Sequence, residues 1–205
     1  MKKIISLLMV LVLCLAACAA AAESGTPDLF GTQDGAKYEN PVMGLGCNLE
    51  GWSYYSKEDI LARYNMVMEN SSEEALKLLE DNSSVIVMYA ETSDQLQCVN
   101  LVVDGAAAAY VKIAGEETYF QDMKGTYEQL APGMGWENFS CEIAQIEISG
   151  KTVNGLKCQY VLSGIQVYQI QAAFLAGDYV SICTVTSYFD DKCDSILQNF
   201  YLLEQ

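Results

Sequence analysis

The sequence contains no histidine. That removes Ser-His-Asp and Cys-His catalysis, imidazole metal ligation and the commonest general base together. Bases are scarce too: 11 Lys plus Arg stand against 27 Asp plus Glu, a formal net charge of -16. A chain so short of cations is a poor match for nucleic acid, whose phosphates are neutralised by Lys and Arg. It is equally ill suited to docking on anionic headgroups by charge. Proline occurs three times. No CxxC pair occurs, so the spacing expected of a zinc site is missing, and no EF-hand loop is present for calcium. These gaps leave carboxylates, tyrosine, lysine and cysteine as the only chemistry available to an enzyme.

What is there is apolar and regularly patterned. Hydrophobic residues make up 51% of 205, enough for one domain with a real core. From Cys141 to Ser187 apolar and polar residues alternate: Ala144, Ile146, Ile148; then Leu156, Cys158, Tyr160, Leu162; then Tyr168, Ile170, Ala172, Phe174; then Tyr179 to Thr186. The breaks fall at Gly150 to Gly155, Ser163-Gly164 and Gly177-Asp178. A period of two interrupted by such turns predicts a four-stranded antiparallel meander with one buried face.

The opening is of another kind. Met1-Lys2-Lys3 precedes the apolar run Ile4 to Leu15, which is too short for a stable membrane span. Leu15-Ala16-Ala17-Cys18 follows. It resembles the lipobox of bacterial lipoprotein signal peptides. The resemblance implies a leader over residues 1–17, lipid on the Cys18 thiol, and a membrane contact made through that lipid. The alternative is an ordinary secretory leader cut among Ala19 to Ala22. Residues 18–37 are small and polar and read as a tether, with the domain beginning at Tyr38 and running to 205.

Within it, Val42 to Leu49 and Trp52 to Tyr55 read as a hairpin turning at Glu50-Gly51. Ser56-Lys57-Glu58-Asp59 caps a helix with Ile60, Leu61, Tyr64, Val67 and Met68 inward. Ser71 to Leu79 is a second helix. Val85–Tyr89 and Leu96–Val103 are strands. The segment Asp104 to Val111 carries no clear signal. Gly115-Glu116-Glu117 opens a helix that buries Tyr119, Phe120, Met123, Tyr127 and Leu130. Asp190-Asp191 caps a last helix with Cys193, Ile196, Leu197 and Phe200 at helical spacing.

That order, over residues 38 to 205, resembles the PsbP/Mog1-like fold. The segment Tyr38-Glu39-Asn40, Gly44-Leu45-Gly46, Gly51-Trp52 and Ser56-Lys57-Glu58-Asp59 resembles small lipoproteins of gut Firmicutes. The fold class implied is α+β, an antiparallel sheet covered by helices as an α/β/α sandwich in a single domain. No catalytic residue, cofactor or metal ligand is carried over by the resemblance.

Six cysteines follow Cys18: Cys47, Cys98, Cys141, Cys158, Cys183 and Cys193. Six allow up to three disulfides in fifteen connectivities. Several fall at inward positions where a thiol packs as a small hydrophobe, so at least two are expected to be unbridged. The residues for a contact surface are Trp136 and Met134, in the loop Gly133-Met134-Gly135-Trp136, with Trp52 and Tyr54 beside another turn. The reading is a lipid-anchored, extracytoplasmic, non-catalytic binding domain, its partner an envelope protein or ligand and not nucleic acid. An envelope enzyme using carboxylates or a thiolate, or a small solute receptor, is the alternative.

Overall fold

The computed structural model describes residues 28–63, 84–176 and 179–203. In chain order the strands are β1 (Thr32–Asp34), β2 (Lys37–Asn40), β3 (Leu45–Asn48), β4 (Trp52–Tyr54), β5 (Ser84–Thr92), β6 (Gln97–Asp104), β7 (Trp136–Ile148), β8 (Lys151–Leu162), β9 (Ile165–Ala176), β10 (Tyr179–Tyr188) and β11 (Phe200–Leu202). The helices are α1 (Lys57–Arg63), α2 (Gly105–Ala114), α3 (Glu116–Leu130) and α4 (Cys193–Leu197). The strands make two antiparallel sheets, one ordered β1-β2-β3-β11 and a larger one ordered β4-β5-β6-β10-β9-β8-β7.

The meander forms where the alternation places it, but the first turn is two residues long and not the expected Gly150 to Gly155, since β8 already begins at Lys151. Ser149-Gly150 joins β7 to β8 and Ser163-Gly164 joins β8 to β9, all four residues at positive φ. Two-residue turns of this kind match the right-handed twist of paired strands. Gly155 is needed for another reason. A side chain there would run into the Gln171 carbonyl oxygen on β9 and come within 2.6 Å of Ile146 Cγ1.

The large sheet has a different cover on each face. On one, Val85, Met88, Val99, Leu101, Val103, Ile146, Ile170, Cys183 and Val185 pack against Tyr38, Leu45, Cys47 and Phe200 of the small sheet and Cys193, Ile196 and Leu197 of α4. On the other, Leu156, Cys158, Ala173 and Val180 pack under Ala107, Ala108 and Val111 of α2 and Phe120 of α3. The α/β/α sandwich expected from the sequence is therefore overturned. Helices cover one face, and a second sheet covers the other. The strands of that second sheet are three or four residues long, too short to show a periodicity.

Three local readings change with it. The hairpin expected between Val42–Leu49 and Trp52–Tyr55 does not form: β3 pairs with β2 and β11, while β4 pairs with β5 in the other sheet. The tether expected over 18–37 ends early, because Leu29 and Phe30 are buried in the main core and β1 already pairs with β2. The last helix stops at Leu197, and Phe200 enters the core from β11 instead. The Asn199 amide turns back to the Ile196 carbonyl at 3.0 Å and closes that helix.

Caps are where the sequence places them. The Asp59 amide donates to Ser56 Oγ at 3.1 Å, opening α1. The Cys193 amide donates to Asp191 Oδ1 at 3.1 Å, opening α4. The unassigned segment after Asp104 is α2, with the Ala107 amide donating to Asp104 Oδ1 at 2.8 Å. The lipobox, Cys18, the stripe from Tyr64 to Met68 and the helix expected at Ser71 lie outside the described residues.

Candidate functional site

The four residues expected to form one contact surface are divided between two places. Trp136 and Met134 lie together where β7 begins. Tyr54 and Trp52 are on β4, at the opposite edge of the large sheet.

At the first place a β-bulge sets the geometry. The register between β7 and β8 shifts between Glu137 and Ser140, and Asn138 takes a positive φ of 54°. Asn tolerates that conformation better than most residues. The extra residue reverses the phase of the strand, so Trp136 and Phe139, three apart, face the same way. Both stack with Tyr160 or with each other: Trp136 on Tyr160 at 4.4 Å between centroids, and Phe139 on Trp136 at 5.5 Å. Tyr127 of α3 leans on Trp136 at 6.2 Å and donates its hydroxyl to Gln171 Oε1 at 3.0 Å. Burial pushes the Tyr160 phenol up to about 12.

This aromatic layer is a floor, and its rim is apolar and wet. Trp136 sits opposite Leu162, and Leu162 opposite Ile165 across the next turn. Met134 is 52% exposed and Phe189 55%, with Leu130, Leu162 and Ile165 between 37% and 38%. The Phe189 amide donates to the Gln166 carbonyl at 2.8 Å, which brings it beside β9. Phe189 also has a φ of +70°, a conformation seldom taken by a bulky side chain. Five of the seven exposed large apolar side chains among the described residues thus gather at this one end of the sheet. Next to it, Cys141 and Cys158 sit directly opposite on β7 and β8 and are joined by a disulfide, Cα to Cα 4.1 Å.

The second place is an open cleft of about 190 Å³ lined by Phe30, Tyr38, Tyr54, Tyr55, Lys57 and Met88 among others. Its tyrosine hydroxyls are already engaged. Tyr38 donates to the Phe30 carbonyl at 3.0 Å, Tyr54 to Ala36 at 2.8 Å and Tyr55 to Glu91 Oε1 at 2.8 Å. The Lys57 ammonium lies 4.3 Å from the centre of the Phe30 ring. Burial raises the phenols of Tyr38 and Tyr54 and pushes the neighbouring Cys47 thiol up to about 11. These groups stay protonated near neutrality, which makes them packing elements. Trp52 is half-buried and packs against the core between the sheets.

Sequence reasoning picks out Trp136 and Met134 but misses Phe139, Tyr160, Leu162, Ile165 and Phe189. Phe139 is hidden by the bulge, which breaks the period of two, while Tyr160 and Leu162 read only as alternating strand positions. Phe189 could have been suspected as a large apolar residue standing between a strand and the acids Asp190-Asp191. Of the cysteines, Cys47, Cys183 and Cys193 are buried thiols, in line with at least two being unbridged. Among the described residues no group of three or more His, Cys, Asp or Glu side chains is placed to hold a metal ion, and no helix is long and apolar enough to cross a membrane. The chain matches no protein-family model and no curated protein.

Proposed function

We propose that this is a lipid-anchored binding module on the extracytoplasmic face of a bacterial membrane, which holds a partner against the end of its large sheet. The observation that carries the reading is the rim of Met134, Leu162, Ile165 and Phe189 over the stacked Trp136, Phe139 and Tyr160. A stacked floor fixes the rim's shape before any partner arrives, which lowers the ordering cost of association. Aromatic residues and methionine are also the types enriched at the centres of protein interfaces. The unusual backbone of Phe189 supports the same view, since strain of that sort gathers at working surfaces. Lipid on Cys18 holds the module in place by burying acyl CH₂ groups, about 0.8 kcal/mol each.

The test has two parts. Labelled fatty acid enters the wild-type protein and not Cys18→Ser; equal label in both removes the anchor. A photo-cross-linking residue at position 134, introduced in the producing cell, yields one adduct of defined mass, while the same residue at Ile113 yields none. Ile113 is the apt control because it is 87% exposed and apolar yet lies away from the rim, on α2. Adducts of equal yield at both positions overturn the contact surface.

A further inference from the structure

The large sheet ends in β7, a strand of 13 residues paired with β8 on one side. Among the described residues no strand pairs with its other side. Which backbone groups are open follows from the register. Cys141 and Cys158 have Cα atoms 4.1 Å apart, the close spacing of an antiparallel pair that does not exchange hydrogen bonds. The amide and carbonyl of Cys141 therefore point away from β8. By alternation so do those of Ile143, Gln145 and Glu147. The strand presents an open ladder, and a free ladder is a template for another extended chain.

Its charge says which chain. β7 carries Glu137, Glu142 and Glu147, all exposed, and no Lys or Arg. None of the three forms an ion pair with a described residue. The base nearest in register, Lys157 opposite Glu142, is held by both carboxylate oxygens of Asp194 at 3.0 and 2.8 Å. Glu137 and Glu142 lie on the face toward the small sheet and Glu147 on the helix face, so a chain added here meets acid on both sides. A second copy of this protein is the wrong occupant. Pairing β7 with itself over its full length sets Glu142 against Glu142, and like charges directly opposite destabilise a ladder.

We infer that the outer edge of β7 binds an extended, basic polypeptide segment by strand addition. The inference rests on the reading of the protein as a holding module, but on a surface separate from the Met134 rim. The partner's backbone completes the ladder at Cys141, Ile143, Gln145 and Glu147, and its Lys or Arg side chains meet the three glutamates.

The domain with its disulfide intact is titrated with a capped synthetic peptide of alternating lysine and valine, and with its glutamate and valine counterpart. The basic peptide binds, and the acidic one does not. Gln145→Pro removes an outward amide without touching a β7–β8 backbone hydrogen bond, as proline on an edge strand permits, giving up only the exposed side-chain bond from Gln145 Nε2 to Asn154 Oδ1, and weakens binding by about tenfold or more. Glu142→Lys with Glu147→Lys leaves the backbone alone, guarding against misfolding of the proline variant, and also weakens binding. Raising salt weakens binding to the wild type and has little effect on the residual binding of the reversed variant. Met134→Asp leaves peptide affinity unchanged. The inference is overturned if neither peptide binds, if the acidic peptide binds as well, if both edge variants bind like wild type, or if the protein self-associates through this edge. If Met134→Asp abolishes binding and Gln145→Pro does not, the edge is wrong and the rim stands.

Discussion

The two faces of the large sheet do different work with the same backbone. The face toward the small sheet is aliphatic and closed: Val85, Val99, Leu101 and Ile148 are completely out of solvent. The face under α2 and α3 is aromatic and closed only in its middle. It runs out past Trp136 into side chains left in water. Sheet on sheet gives a dry layer with no room for a partner. Two helices span part of a face and leave an end uncovered. The stable side is thus where the fold resists change, and the proposed contact surface is where the cover stops.

Substitutions sharpen that contrast. Leu101→Ala, between the sheets, is expected to lose about 2–5 kcal/mol in urea denaturation, the range for emptying a packed aliphatic site. Partner capture by the surviving folded fraction is unchanged. Removing the Cys141–Cys158 bridge as a double alanine variant loses about 3 kcal/mol by the loop-closure account, since 17 residues separate the two. This second variant loosens β7 beside the rim, so it lowers stability and partner capture together. A loss of stability with capture intact would separate the bridge from the site.

Alkali gives a third contrast, which begins on the closed face because its thiols start to titrate below the phenols of the aromatic face. Burial raises the Cys47 thiol from 9.0 to about 11 and pushes Cys193 up to about 12. The native state keeps these protons where the unfolded chain gives them up. Their contribution is complete below pH 9 and is lost as pH rises from 9 toward 12, on the order of 2 kcal/mol for Cys47 alone. Urea midpoints should be level from pH 7 to 9 and fall above it. Cys47→Ala should flatten part of that fall. The smallest effect on stability is expected at the rim. Met134→Ser changes stability by less than about 0.5 kcal/mol, as exposed positions do, yet removes the adduct formed by a photo-cross-linking residue placed at position 189.

How much of this was legible follows from the range of each signal. The meander was readable because its alternation is local, and so is the turn at Ser163-Gly164; the first turn, read as Gly150 to Gly155, is Ser149-Gly150 alone, because Gly155 is a strand residue placed by close contact and not by a turn. The caps at Ser56 and Asp191 were readable for the same reason. The small sheet was not. It joins β3 to β11 across most of the chain, and nothing local in Leu45–Asn48 names Phe200–Leu202 as its partner. The resemblance that implied helices on both faces rested on element order, which does not say what lies on which side. The rim was half legible. Met134 and Trp136 stood out as bulky residues among glycines, but the bulge at Asn138 that aligns Phe139 with Trp136 is a backbone event without an alternation of its own.

The most direct measurement is hydrogen–deuterium exchange of the domain with and without detergent extract of the producing cell's envelope. The account predicts new protection in residues 132–147 and 188–190, with the strands between the two sheets unchanged. Protection centred on the Tyr38–Tyr54 cleft, or none anywhere, would contradict it.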